Sequence, residues 1–381
     1  MTKTIALLGA TGSVGMQTLE VARAGGYKID FISAGRNSAL AERIVREFRP
    51  TAVAMSDVRA ANELKFRIRD CSVRVLSGEQ GICEGVLHSN ADTVVNAILG
   101  KAGLMPTLAS IEAGKRLALA NKESLVIAGN IVMDFARRKG VEIIPVDSEH
   151  SAIFQSLKAG NRSEIRRLIL TASGGPFYGR SMAELERITV ADTLAHPTWK
   201  MGKKITVDSA TLMNKGFEII EAAHLFSVSP DRIEVVVHPE SILHSAVEYI
   251  DNSIIGELSV PDMRMCVQYA VDYPDRFEST SRELDLFELG TLSFFRPDNE
   301  AFPFLDLAKE AITLGGAMPA VMNAADEVAV AAFLDGRISF TDIFRVVTAT
   351  FDSMRDARCA VSLDDIIASD RAARKIAAEL I

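Results

Sequence analysis

The sequence predicts an α/β protein with an N-terminal, doubly wound Rossmann-like domain, a central α+β catalytic domain and a C-terminal α-helical bundle. Short β-branched runs alternate with helical patterns up to about residue 147, strand-like runs with short connections follow, and four helical patterns end the chain. Strict alternation is typical of a mostly parallel sheet. Short connections instead join antiparallel strands.

The N-terminal domain is predicted at residues 1–148. Its candidate strands are TIALLGA, KIDFISAG, TAVAMS, SVRVLSG, TVVNAILG, RLALA and VEIIPV. Helix signals lie between them. One helix ends at Gly25 and Gly26, and another begins at Asn37 and stops before Pro50, because glycine favours helix ends and asparagine favours helix starts.

The central domain is predicted at residues 149–275, followed by a linker at 276–298 and a C-terminal domain at 299–381. The central strands are IEVVVHP, ILHSAVEYI and SIIGELSV, with the turn DNS predicting a hairpin between the last two. Helical periodicity in the last domain predicts a small bundle. Its helices are expected near 303–313, 317–334, 339–354 and 361–380.

Composition excludes several classes of function. A formal net charge of -8 argues against general nucleic-acid binding, which depends on massed Lys and Arg. The four cysteines are scattered, with no spacing typical of a disulfide framework or a zinc site. With no basic leader and no apolar run of ~20 residues, a cytoplasmic protein without membrane contact is expected.

A glycine-rich turn predicts a dinucleotide site. Gly9, Gly12 and Gly15 lie between the first strand and the first helix, where backbone N–H groups can approach a pyrophosphate. The second strand ends at Gly35-Arg36 without a carboxylate for a ribose hydroxyl. The guanidinium suits a 2′-phosphate, which favours NADP, although Arg36 could also be an ordinary solvated loop charge.

An acidic turn, PVDSEH, follows the last strand of the N-terminal domain. Asp147 and Glu149 lie at the carboxyl end of that strand, where doubly wound sheets bind ligands. Neighbouring carboxylates repel unless one is protonated or a cation lies between them, and Mg²⁺ or Mn²⁺ prefers such oxygen ligands. Helix capping by Asp147 or Ser148 is the alternative interpretation.

The segment DSATLMNKGFEIIEAAHLF supplies a third carboxylate. At ~100° per residue, a helix here places Asn214, Lys215 and Glu218 on one side. A solvated polar stripe is the alternative. Two further stretches, LTASGGPF and AHPTWKMGKKI, are typical of an anion nest and a mobile cover, respectively, or of a plain turn and an exposed loop.

Several segments, in order along nearly the whole chain, resemble the 1-deoxy-D-xylulose 5-phosphate reductoisomerase family. They are GATGSVG, ALANKESLV, PVDSEH, LTASGGPF, HPTWKMGKKITVDSATLMNKGFE, HPESILHSAVEY, PDMR and MNAADEVAVAAFL. The resemblance implies a homodimer with a flexible loop at 195–205. It also implies NADPH- and metal-dependent isomerisation and reduction of 1-deoxy-D-xylulose 5-phosphate to 2-C-methyl-D-erythritol 4-phosphate for isoprenoid synthesis, with inhibition by fosmidomycin.

The resemblance also implies the roles of individual residues at matching positions. The implied Mg²⁺ or Mn²⁺ ligands are Asp147, Glu149 and Glu218, which with Lys122 form the catalytic set. The implied substrate-binding residues are Lys122, Ser148, Glu149, Ser173, His196, Trp199, Ser209, Asn214, Lys215 and Glu218. The implied NADPH-binding residues are Thr11, Gly12, Ser13, Val14, Gly35, Arg36, Asn37, Asn121, Glu123 and Gly202.

The sequence departs from the family pattern at Lys101, Glu240 and Ala246, none of which is a proposed ligand. Two other functions remain open from the residues alone. A semialdehyde dehydrogenase also begins with such a glycine turn but needs a nucleophilic cysteine, and Cys266 lacks a convincing partner histidine. A non-catalytic NADP-sensing protein would not need a substrate metal site.

Overall fold

The fold is described from a computed structural model that covers residues 3–195 and 202–381. The chain forms two compact units. The first comprises Met1–Ser124, Val132–Ser151 and Asp262–Arg282, and the second comprises Leu125–Ile131, Ala152–Pro261 and Glu283–Ile381. The three consecutive domains expected from the sequence stay a prediction.

The first unit contains a seven-stranded, all-parallel sheet in the order β4-β3-β2-β1-β5-β6-β7. Its strands are β1 Thr4–Leu8, β2 Lys28–Ala34, β3 Ala52–Met55, β4 Arg74–Ser77, β5 Thr93–Asn96, β6 Arg116–Leu119 and β7 Ile143–Pro145. Each lies within a predicted run, so the doubly wound fold is confirmed. The order reverses direction between β1 and β5, where such sheets open a ligand crevice at their carboxyl ends.

Helices follow the strands of this sheet. They are α1 Ser13–Gly25, α2 Ser38–Phe48, α3 Val58–Arg67, α4 Gly78–His88, α5 Leu104–Glu112, α6 Glu123–Lys139 and α7 Ser148–Ser156. Both sheet faces are therefore covered, and Ile5–Leu8 of β1 is fully buried, as expected for a parallel strand. A later helix, α12 Met263–Asp272, packs against α1 in the same unit.

The second unit contains a four-stranded sheet in the order β11-β10-β8-β9. Its strands are β8 Ile165–Ala172, β9 Ile233–Val237, β10 Leu243–Tyr249 and β11 Ile254–Leu258. The predicted hairpin is β10–β11, which pairs antiparallel. β9 instead pairs in parallel with β8, because the segment between these two strands forms α8 Met182–Leu185, α9 Val190–Thr193, α10 Lys203–Ala210 and α11 Met213–Phe226.

Five α-helices end the described chain, four of them near the predicted positions and the first within the segment predicted as a linker. They are α13 Leu286–Leu289, α14 Phe304–Leu314, α15 Met318–Leu334, α16 Phe340–Ser353 and α17 Leu363–Glu379. Ser339 and Ser362 form capping boxes that start α16 and α17, and Phe304, Phe333, Phe340 and Phe351 fill the core. Within the described residues, no helix is long and apolar enough to cross a membrane.

A close approach between α6 and α11 leaves the His224 side chain half-buried. A side chain at Gly129 would meet the His224 ring at 2.2 Å, so only glycine lets these helices pack at this distance. Burial lowers the pKa of His224 from 6.5 to about 4. His224 is therefore neutral in the folded protein at neutral pH.

This burial predicts a pH-dependent stability. Below pH 6.5 the unfolded chain binds a proton at His224, whereas the folded chain binds it only near pH 4. The neutral His224 therefore contributes fully to the free energy of unfolding above pH 6.5, and this contribution falls as the pH falls. Between pH 7.5 and 5 the loss is about 2 kcal/mol. Urea unfolding at both pH values measures it. His224→Gln should reduce the pH dependence by that amount, whereas the same substitution at exposed His88 should not; equal slopes in both variants would contradict the assignment.

Candidate active site

The glycine turn is built for close backbone approach. Gly9 has φ +82° and accepts the Gly12 N–H at 2.9 Å. A Cβ at Gly15 would lie 2.2 Å from Gly9 O, which leaves no room for any side chain. Gly12 is the N-cap residue of α1 and offers no side-chain cap. The first N–H groups of α1 therefore form an anion-binding end beside the exposed Ser13.

The end of β2 presents the second candidate cofactor segment. Arg36 is 88% exposed in its side chain and lies 3.5 Å from Asp57. Asn37 caps α2 by accepting the Leu40 N–H at 3.0 Å. A side chain at Gly35 would meet nothing within 4 Å. The guanidinium is thus exposed at the carboxyl edge of the parallel sheet.

Asn121 and Lys122 lie where β6 ends and α6 begins. The Asn121 amide donates to Ile98 O at 2.7 Å, to Gly100 O at 2.9 Å and to a Glu123 carboxylate oxygen at 2.9 Å. Its Oδ1 accepts the Ser124 N–H at 3.0 Å. Asn121 therefore clamps the loop after β5 against the end of β6, and its cofactor contact stays a prediction.

The acidic turn joins capping to a charge pair. Asp147 Oδ1 accepts the Glu149 N–H at 3.2 Å and lies 2.9 Å from His150 Nδ1. Its Oδ2 lies 3.0 Å from Lys122 Nζ. An ionised carboxylate only accepts hydrogen bonds, so His150 Nδ1 carries a proton. Ser148 Oγ donates to Glu149 Oε2 at 2.5 Å, which makes this turn a connected polar network.

Glu218 lies in the buried first half of α11. It is 1% exposed, accepts a 2.6 Å hydrogen bond from the Asn214 amide, and forms an ion pair with Lys215. The predicted cluster of amide, ammonium and carboxylate on one side of this helix is therefore present. Leu212, just before α11, is buried with φ +58°, a conformation that L-residues adopt at a cost of about 1–2 kcal/mol.

The predicted anion loop follows β8. Gly174 and Gly175 both have positive φ, and the Gly175 N–H donates to Ser173 Oγ at 3.3 Å. A Cβ at Gly175 would lie 2.6 Å from Ser209 O, so the loop packs directly against the C-terminal end of α10. A glycine pair with positive φ beside two serine residues is typical of loops that bind phosphate through backbone N–H groups.

The structure describes some of the remaining predicted site residues and not others. Gly202 is the exposed N-cap residue of α10. Thr11 and Val14 flank the glycine turn and are half-buried. His196 and Trp199 lie outside the described residues. Sequence reasoning assigned no role to His150; its i,i+3 spacing from Asp147 and the apolar residues that follow were the available signals.

The sheet order and the glycine turn define a Rossmann-like protein. Three family models match this chain: "1-deoxy-D-xylulose 5-phosphate reductoisomerase" at residues 5–129, its "C-terminal domain" at 143–226, and "DXP reductoisomerase C-terminal domain" at 258–376. A relative of that name from Caldanaerobacter subterraneus is 49% identical over 98% of both chains. One from Acetivibrio thermocellus is 49% identical over 100% of both.

Solved structures agree with the sequence relatives. The reductoisomerase from Zymomonas mobilis in complex with NADPH has a TM-score of 0.93 at 43% identity, covering 100% of this chain and 99% of that one. A reductoisomerase in complex with NADPH, fosmidomycin and magnesium has a TM-score of 0.94 at 39% identity, covering 99% and 98%. The chain belongs to the 1-deoxy-D-xylulose 5-phosphate reductoisomerase family.

The crowding at Gly15 yields a test of the cofactor turn. In Gly15→Ala the new methyl would overlap the backbone of Gly9, so the turn must shift, at a cost of about 1–3 kcal/mol. We expect lower stability in urea and weaker NADPH binding in fluorescence titration. Gly35→Ala is the stability control, because that position is open. Wild-type stability and affinity in Gly15→Ala would contradict this geometry.

Proposed function

We propose that this chain isomerises 1-deoxy-D-xylulose 5-phosphate and reduces the product with NADPH to 2-C-methyl-D-erythritol 4-phosphate. The proposal depends chiefly on one observation: Asp147 and Lys122 form an ion pair at the carboxyl edge of the seven-stranded parallel sheet. The chain is also related to the reductoisomerases over its full length. A semialdehyde dehydrogenase is disfavoured because Cys266 is buried. A sensor protein would not require this carboxylate set.

We assign the divalent metal to Asp147, Glu149 and Glu218. Three carboxylates suit Mg²⁺ or Mn²⁺, which prefer hard oxygen ligands, so the donor set fits the ion. A bound ion supplies Lewis-acid polarisation of the substrate carbonyl. His150 and Lys122 fix the orientation of the Asp147 carboxylate, and Asn214 does so for Glu218.

We assign the substrate phosphate to Ser173, Ser209, Asn214 and Lys215. Lys215 has three donors, so it can keep its Glu218 ion pair and still donate to a phosphate oxygen. The N–H groups of the glycine pair after Ser173 add neutral donors. Because the phosphate is remote from the reacting carbons, its binding energy can help to orient the sugar.

NADPH is assigned to the glycine turn and to Arg36, which would hold its phosphate groups. The cofactor supplies the hydride. The Lys122 ammonium, held by Asp147, stands at the edge where negative charge develops on substrate oxygen, and fixed charges at such positions lower the barrier. Ser148, bonded to Glu149, is placed to orient a substrate hydroxyl. Contacts by Glu123, Gly202, His196 and Trp199 stay predictions.

Removing one proposed metal ligand tests the assignment. Glu218→Gln preserves size but removes the negative charge, so metal-dependent turnover should fall on the order of 100-fold or more, while NADPH affinity stays near wild type. Substrate-dependent NADPH oxidation is followed at increasing Mg²⁺ and after chelation. Glu310→Gln is the control, because Glu310 lies on α14 with 42% of its side chain exposed and pairs with Arg355. Wild-type turnover in Glu218→Gln would remove it from the metal site, and chelator-insensitive wild-type turnover would refute the metal requirement.

We also propose that the protein is a homodimer that pairs through β11, in the cytoplasm. β11 lies at one edge of its sheet and exposes Ile254, Ile255 and Leu258, at 40–56% of their surface. In the same unit, Phe287 is 99% exposed. Exposed apolar side chains on an edge strand are a liability in a monomer, and a second copy would cover them.

A charge on this strand should separate the subunits. Ile255→Lys places an ammonium in the proposed interface, and we expect a monomer in analytical ultracentrifugation at micromolar concentration. Val361→Lys is the matched control, because Val361 is 85% exposed but precedes α17. A dimer that survives Ile255→Lys, or a wild-type monomer, would contradict pairing through β11.

A further inference from the structure

A buried cluster of charge links α10 to the C-terminal helices. Lys204 Nζ lies 2.6 Å from Asp208 Oδ2 and 2.9 Å from Asp326 Oδ2. Asp208 is 3% exposed and Asp326, on α15, is fully buried. The ammonium also lies 4.9 Å from the centre of the Phe217 ring on α11. One cation therefore connects three helices of the second unit.

The charges in this cluster do not cancel locally. Two carboxylates face one ammonium, and burial raises the pKa of Asp326, while Lys204 opposes that change. Keeping carboxylates away from water is costly unless a cation holds them in a fixed geometry. An apolar contact between α10 and α15 would cost less free energy to bury. The charged cluster therefore indicates that α10 must be held in one defined position.

The helix that this cluster holds carries part of the proposed phosphate pocket. α10 spans only Lys203–Ala210, so Lys204 and Ser209 lie within about 8 Å along its axis. The main chain of Ser209 contacts Gly175 so closely that a Cβ there would lie 2.6 Å from Ser209 O. Any shift of α10 therefore moves Ser209 and displaces the glycine loop beside Ser173.

We infer that Lys204 and Asp326 are positioning residues for phosphate binding: their ion pair fixes α10 against α15 and so sets the distance between Ser209 and the Ser173 loop. The inference rests on the proposed role of these serines in holding the substrate phosphate. Neither Lys204 nor Asp326 touches the substrate; both act through α10.

A neighbouring pair on the same helix provides the control. Glu327, next to Asp326, lies 2.6 Å from Arg374 of α17. Glu327→Gln removes the same charge from the same helix without touching Lys204. A general loss of bundle stability should therefore appear in both variants, whereas a phosphate effect should appear only at Asp326.

The experiment compares six variants of the full-length enzyme. They are Asp326→Leu, Asp326→Asn, Lys204→Met, the double variant that combines Asp326→Leu with Lys204→Met, Glu327→Gln and Ser209→Ala. We measure kcat, the KM for 1-deoxy-D-xylulose 5-phosphate and for NADPH, the Ki of inorganic phosphate, and the Tm. Asp326→Leu should let α10 shift and so weaken the charge-assisted hydrogen bond between Ser209 and phosphate. Loss of one such bond should raise the substrate KM and the phosphate Ki about tenfold. The KM for NADPH and kcat should change much less.

The remaining variants give a pattern that a purely structural role would not produce. Asp326→Asn keeps an oxygen for Lys204 and should restore most of the substrate affinity. The double variant should be no worse than the poorer single variant, because both substitutions break one link. Glu327→Gln should leave KM and Ki unchanged.

A lower Tm with unchanged KM and Ki in Asp326→Leu would overturn the inference, and so would an equal KM increase in Glu327→Gln. If Asp326→Leu does not fold, unchanged KM and Ki in Lys204→Met would overturn it. Ser209→Ala separates the two levels of assignment. If it also leaves KM and Ki unchanged, the phosphate pocket itself is wrong; if it raises both while the Asp326 variants do not, only the positioning role fails.

Discussion

Three lysines pair with acidic side chains in or next to the candidate site, and this pairing governs the local structure. Lys122 holds Asp147, Lys215 holds Glu218, and Lys204 holds Asp326. Burying an ionised carboxylate is costly unless a cation lies beside it. The Lys122–Asp147 and Lys204–Asp326 pairs each join two elements and hold them in one arrangement, whereas the Lys215–Glu218 pair lies within α11. The pairs constrain the end of β6, the start of α11 and the position of α10.

The same pairing explains how a chain of net charge -8 can receive an anionic substrate. Attraction depends on local charge in a partly desolvated site more than on the total. Lys122 and Lys215 pair with two of the carboxylates proposed as metal ligands, and the loop after β8 offers backbone donors without adding charge. Each lysine offsets the charge of the carboxylate beside it, so acidic side chains need not repel an anionic ligand.

Much of the fold could be predicted because its signals are local. Alternating strands and helices predicted the parallel sheet, and helical periodicity predicted the C-terminal helices. The parallel pairing of β8 with β9 was harder to predict, since the intervening helices carry weak periodicity. The packing of α12 against α1 has no local signal at all: it depends on contacts between distant segments, such as Asp272 with Lys3 and Tyr27.

Candidate site residues were predictable where a motif places them together, as at Asp147 and Glu149, but not where they meet only through packing. Asp326 looks like an ordinary helix residue in the sequence, and only the fold brings it to Lys204. Asp147 shows why the capping and functional interpretations could not be separated beforehand. One carboxylate oxygen caps the start of α7 and contacts His150, while the other faces Lys122. The capping interpretation is therefore confirmed, and because capping leaves the second carboxylate oxygen available to a cation, it does not exclude the proposed metal role, which stays a prediction.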